Sequence, residues 1–236
     1  MSRKMVLGIG IDGVLRDTHS QFYRKYKKAF IFNEELIGMD ENFNAVEDNM
    51  TEETIAHIEQ LEKDKVHIPI DTYDLMNHFH FDSREDFEKF YYTDYAFEIF
   101  GAAQQYPRAM EYVNRLYDWG RMNNLFDIVL LSKESEKAVT STYHFLAKTG
   151  CKIRTIKFVD EFVDKWKYCD VLIDDCPYVF ESKPENKISI RINQEYNKWS
   201  DNADYSFNSI NEVYKDEFLL KVFGKKEDGL KLEKEN

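Results

Sequence analysis

A chain of 236 residues with 43% hydrophobic and 32% charged residues has a soluble globular composition, enough for one domain with a large insertion or two small domains. Its 44 acidic residues outweigh 32 basic ones, and the net charge of −12 excludes direct nucleic-acid binding unless the basic residues cluster. Four prolines and nine glycines exclude a linker-rich or collagenous chain, and three cysteines with no CxxC pair (Cys151, Cys169, Cys176) point to free thiols in a reducing compartment.

The first element is a continuous apolar run, Met5 to Ile11, followed by Asp12-Gly13; it reads as a buried strand entering a loop. The run is too short to span a membrane and carries no small-residue cleavage site, so the expected location is cytoplasmic, in a cell or an infected host cell. Phe22, Tyr23, Tyr26 and Phe30 then recur at helical spacing between Arg24, Lys25, Lys27 and Lys28. Residues 31–50 are polar and irregular, and helices are predicted over about 51–64 and about 83–92, the second capped by Ser83.

Pro107 opens a predicted helix with the apolar stripe Met110, Val113, Leu116 and Tyr117, and Gly120 stands where a terminating glycine belongs. From there the rhythm is strand and helix in turn. Phe126 to Leu131 is a strand ending at Ser132. A helix runs from about Glu134 to Lys148, closed by Gly150. Further strands are expected at Ile153 to Val159, Val171 to Ile173 and Ile188 to Ile192. Such alternation predicts an α/β fold with a parallel sheet covered by helices on both faces. The stretch 18–99 interrupts it and reads as an inserted, mainly helical cap. Residues 1–17 and 100–223 then form the core domain, and 224–236 a charged, flexible tail.

Four short signals fall at predicted strand ends, where open α/β sheets place their sites: Gly10-Ile-Asp-Gly-Val-Leu-Arg-Asp17, Leu131-Ser132, Asp164-Lys165 and Leu172-Ile-Asp174-Asp175. Together they resemble the four motifs of the haloacid dehalogenase superfamily, and within it the 5'(3')-deoxyribonucleotidases. Their first motif runs Asp-x-Asp-Gly-Val-Leu-x-Asp into a basic, aromatic helix. Their third-motif Lys lies nine residues before the first Asp of Leu-Ile-Asp-Asp, a spacing that Lys165 and Asp174 keep. The resemblance covers about 1–30 and 100–215 and is thin over 31–95. It implies a Rossmann-like parallel core of the haloacid dehalogenase type.

In such enzymes the first Asp attacks phosphorus, the Asp two positions later is the general acid and base, and Mg²⁺ neutralises the phosphate. The resemblance therefore implies Asp12 as acid and base, with Ser132, Lys133, Lys165 and Gly13 around the phosphate. Asp12, Asp174 and Asp175 would serve Mg²⁺. The nucleophile's position is Gly10, which has no side chain to attack with or to offer a metal. The leading expectation is a catalytically impaired phosphatase relative that keeps a cleft for a phosphate-bearing small molecule or nucleotide, or that serves as a binding or assembly subunit for a protein partner. The Lys-, Asn- and Tyr-rich composition hints at a low-GC genome such as a phage. Two alternatives remain. One is an active Mg²⁺-dependent 5'-nucleotidase with a water nucleophile and Asp12 as acid and base. The other is a purely structural component, for instance of a virion.

Other features weigh toward packing. His78 and His80 would share a face on a strand and could bind metal, but no third ligand lies near in sequence. The basic cluster 24–28 reads as the solvated face of an amphipathic helix more readily than as a nucleotide-steering patch. Phe87, Phe90, Tyr91 and Tyr92 read as core before base-stacking residues, His144 as structural, and Trp166 and Tyr168 as packing beside Lys165.

Overall fold

Strand β1 is Met5–Gly10, and its last four residues are buried. In the computed structural model, which describes residues 3–27, 29 and 70–224, it lies between β2 (Phe126–Ser132) and β4 (Val171–Asp174). The outer strands are β3 (Ile156–Phe158), β5 (Ile188–Ile192) and β6 (Tyr205–Phe207). The order is β3-β2-β1-β4-β5-β6, and every pairing is parallel. Leu7, Ile9, Ile128, Leu130, Val171 and Ile190 form the buried centre of the sheet. Strands this apolar need cover on both faces, which helices supply.

Among the described residues two α-helices fall within 18–99, α1 (Thr18–Tyr26) and α2 (Arg84–Lys89). The other five alternate with the strands or follow them: α3 (Ala109–Met122), α4 (Val139–Lys148), α5 (Pro177–Glu181), α6 (Ile210–Val213) and α7 (Asp216–Phe223).

The chain runs outward from β1 to β2 and β3, then returns to β4 on the other side of β1 and runs outward again to β5 and β6. The strand order therefore reverses beside β1. In open parallel sheets the crevice at such a reversal, at the carboxyl ends of the strands, is where ligands bind. Gly10, Ser132 and Asp174, each the last residue of its strand, all end at that edge.

Helix α3 turns Met110, Val113 and Leu116 into the core, as their spacing predicts. Burying each such side chain stabilises the fold by about 1.5–3 kcal/mol. Its ends differ from the sequence reading. It begins at Ala109 rather than Pro107, because Arg108 is left-handed at φ 58° and the Gln105 side chain accepts from the Met110 N–H at 3.1 Å. Gly120 is inside the helix, not beyond its end; a Cβ there would lie 2.5 Å from the Phe126 ring. The glycine lets helix and strand approach closely. Helix α4 begins at Val139 rather than near Glu134, whose carboxylate is drawn inward to Arg16 and Thr142. Strand β3 spans only three residues of the predicted run, and β6, α6 and α7 carry no expectation from the sequence.

The regular elements described within 18–99 are all helical. Helix α1 is capped by the Asp17 side chain, which accepts from the Ser20 N–H, and α2 is capped by Ser83. A 3-10 turn at Leu75–Asn77 and π-helical turns at Phe90–Asp94 and Phe97–Gly101 complete the set. These elements build their own apolar cluster around Phe22, whose ring lies 5.0 Å from Phe79 and 5.3 Å from Tyr91. The expected helix at 51–64, the irregular stretch 31–50 and the tail from 225 onward lie outside the described residues. Among the described residues no helix is long and apolar enough to cross a membrane.

Candidate functional site

The loop after β1 turns sharply. Gly13 is left-handed at φ 68°, and a Cβ there would fall 1.8 Å from an Asp175 carboxylate oxygen. Only glycine fits. Its N–H donates to the Arg16 carbonyl at 3.0 Å, so it is committed to the turn rather than open to a phosphate. The turn presents Asp12 next to Ser132, while Asp174 stands next to Lys165. Four of the residues singled out from the sequence thus meet at one edge of the sheet.

Each carboxylate there already has partners. Asp12 Oδ1 accepts from Arg16 Nε at 2.7 Å and from the Thr18 hydroxyl, and Oδ2 accepts from Ser132 Oγ at 3.0 Å. Burial works to raise the Asp12 pKa, but the Arg16 charge and these hydrogen bonds outweigh it and hold the group below the usual carboxylate value. Asp174 Oδ1 accepts from the Asp175 and Cys176 N–H groups at 3.1 and 3.0 Å, and Oδ2 accepts from Lys165 Nζ at 2.7 Å. Burial works to lower the Lys165 pKa; the Asp174 charge more than offsets that, and the ammonium stands above its ordinary value. Asp175 is buried, accepts from the Tyr196 hydroxyl, and is pushed well above the carboxylate range by burial and by Asp174.

Gly10 is closed as well as bare. A Cβ built there would lie 2.7 Å from Asp174 Oδ2 and 3.4 Å from Val14 Cγ2. The Asp174 carboxylate, 0% exposed and tied to Lys165, occupies the approach that a side chain at position 10 would need.

These contacts test the fit of Mg²⁺. The ion takes carboxylate and carbonyl oxygens in a near-octahedral shell and keeps several waters. Here each oxygen of Asp12 and Asp174 already accepts from an internal donor, Asp175 accepts from the Tyr196 hydroxyl and position 10 offers nothing. Among the described residues no three His, Cys, Asp or Glu side chains come together as a metal-ligand set. The residues in this arrangement do not fit the ion. His78 and His80 do not share a strand face; they follow the 3-10 turn, near Asp71 and Asp82 respectively.

Above the carboxylates lies a cavity of about 200 Å³, lined from the sheet edge by Asp12 and Lys165 and from the helical elements of 70–99 by Leu75, Arg84 and Tyr91. Lys133, Lys165 and Arg84 bring positive charge to its wall, and Tyr73, Tyr91 and Tyr92 bring aromatic surface. Phe87 also faces it, and like Tyr91 and Tyr92 it packs against the Phe22 cluster, in which Phe90 is buried. Lys133 is 3.4 Å from Glu161 and its ammonium lies over the Phe162 ring at 4.5 Å. Of the basic cluster, Lys25 pairs with Glu98 at 3.6 Å and Lys27 lies over Tyr23, as expected of a helix's outer face. Trp166 packs and donates to the Val179 carbonyl; Tyr168 is exposed instead.

Three residues of the site escape the sequence reading. Arg16 is fully buried, and beyond Asp12 it donates to Glu134 at 2.9 Å and Thr142 at 2.7 Å. Burial pushes Glu134 up to about 7 although Arg16 pulls the other way. His19 stacks on Tyr196 with ring centroids 4.5 Å apart, lines the cavity, and is held below its ordinary pKa by burial.

Sheet, crevice and flanking helices define a parallel α/β protein with its candidate site at the strand carboxyl ends. Solved structures with a similar layout include β-phosphoglucomutase from Clostridium difficile, 17% identical, covering 94% of this chain and 97% of that one at a TM-score of 0.49. A HAD hydrolase of family IA from Entamoeba histolytica is 13% identical, covering 94% and 100% at 0.49. CbbY from Rhodobacter sphaeroides, in complex with phosphate, is 14% identical, covering 90% and 97% at 0.48. Likeness at this level says nothing of activity. No family model matches the chain, and no curated protein matches it.

Proposed function

We propose that the chain is a catalytically impaired relative of the haloacid dehalogenase phosphatases, of deoxyribonucleotidase type, that binds a phosphate-bearing small molecule such as a nucleotide in the cleft over Asp12 and Lys165. The observation that carries the reading is the closure of position 10. A nucleophilic carboxylate there would have to displace Asp174 from Lys165, so the covalent step of the family has neither its atom nor its space. Asp12, with a lowered pKa and every oxygen engaged, is a weak base for activating water. What remains is binding: Lys133 and Arg84 offer charge to an anion, and the tyrosines offer flat surface to a ring.

The test sets binding against turnover. Deoxynucleoside monophosphates should raise the melting temperature of the pure protein, because a ligand selective for the folded state stabilises it. The same nucleotides should release no phosphate above background, with or without Mg²⁺. Mg²⁺-dependent release that disappears in Asp12→Asn would sink the reading.

A further inference from the structure

We propose that Arg16 is the resident cation of the cleft, a fixed guanidinium that compensates Asp12 in place of a divalent ion, so that the cleft takes an anionic ligand without a metal. The inference rests on the reading of the cleft as a phosphate site.

The cation is built in. Arg16 is 0% exposed, and its donors are all directed: Nε to Asp12 Oδ1 at 2.7 Å, Nη1 to Thr142 Oγ1 at 2.7 Å and the Phe100 carbonyl at 3.2 Å, Nη2 to Glu134 Oε2 at 2.9 Å. The Phe100 and Phe145 rings lie 4.8 and 5.5 Å from its Cζ. Guanidinium suits such a place because its donors form a rigid planar fork and it sheds water more readily than an ammonium. An ion pair that merely held the fold together would have no reason to face the cavity, yet Asp12, its partner, lines the cavity wall.

Lys165 does the same for Asp174 from the other side. An arriving divalent ion therefore meets two fixed positive charges and no uncommitted oxygen on Asp12 or Asp174. To bind at Asp12 Oδ1 or Asp174 Oδ2 it must break an ion pair, and at Asp174 that leaves the buried Lys165 ammonium without its carboxylate, which proteins avoid. An anion meets no such obstacle, since Lys133 stands at the cavity wall and the carboxylates beneath are compensated.

Calorimetric titration of the intact chain decides the matter, with MgCl₂ alone and then with inorganic phosphate in EDTA and in about 10 mM Mg²⁺. The expected result is no saturable Mg²⁺ isotherm, and a phosphate affinity that agrees within about twofold between the two buffers. A saturable Mg²⁺ isotherm that is lost in Asp174→Asn, or a phosphate affinity raised about tenfold or more by Mg²⁺, would overturn the inference. Phosphate that fails to bind in either buffer would instead overturn the ligand reading of the cleft, and metal-free binding with it. The double variant Arg16→Met/Glu134→Gln removes the cation and one of its two carboxylate partners. Mn²⁺ should raise its melting temperature but not that of the wild type. A folded double variant that stays indifferent to Mn²⁺ would show that Arg16 is not what closes the site; if the variant does not fold, the wild-type titrations decide.

Discussion

Placing a carboxylate at position 10 should destabilise the protein before it adds any chemistry. In Gly10→Ala the new Cβ arrives 2.7 Å from Asp174 Oδ2 and 3.1 Å from its Cγ. Neither atom gives way easily, since Asp174 is held by Lys165 and by two backbone N–H groups. Overpacking of a well-filled interior costs about 1–3 kcal/mol, and Gly10→Ala should lie in that range. Gly10→Asp adds a second carboxylate beside Asp174 where only Lys165 is at hand to compensate it. A further loss of about 1–3 kcal/mol is expected, the scale of an imperfectly compensated buried polar group. For a chain of this size the two losses together lower the melting temperature by about 4–24 °C. Urea unfolding of the wild type and both variants at pH 7 measures the series. Gly10→Asp as stable as the wild type, and active with Mg²⁺, would refute the closure of position 10 and the argument built on it.

Other outcomes follow from the same contacts. Arg16→Met leaves Asp12 and Glu134 without their shared cation and should cost about 3–5 kcal/mol by urea unfolding, with Glu134→Gln in the same chain recovering part of the loss. Because the folded state holds the Glu134 proton up to about 7, against an ordinary 4.5, its contribution to stability is fully present below about 4.5 and is lost as the pH rises through about 7. Wild-type stability should thus carry a falling component over that window that Glu134→Gln removes; an unchanged slope in the variant would assign the effect to other groups. Gly120→Ala drives a methyl into the Phe126 ring and should cost about 1–3 kcal/mol by the same unfolding assay, although alanine is the better helix former and would stabilise an exposed site.

Much of the sheet is legible in the sequence because its inner strands are continuous apolar runs that end on small or acidic residues. The ends of those runs, Gly10, Ser132 and Asp174, locate the crevice on their own. Tyr205–Phe207 is not legible, because three residues are too few to show a period. Gly120 misleads because a glycine that ends a helix and one that lets a strand press against it look alike in sequence. Arg16 escapes for a different reason. Its burial depends on Glu134 and Thr142, 118 and 126 residues away, and nothing local distinguishes it from a solvated arginine in a turn. The motif positions therefore reveal which groups gather, while the contacts that commit those groups to one another are written elsewhere in the chain.

The sheet closes on two strands of three residues each, β3 at one margin and β6 at the other. A sheet margin is a row of unpaired backbone donors and acceptors that can recruit a strand from another molecule, and the recruiting power grows with its length. Margins this brief offer little to grip, and a net charge of −12 adds mutual repulsion between copies. Concentrated solutions of the protein should accordingly resist the strand-to-strand aggregation that longer exposed margins invite.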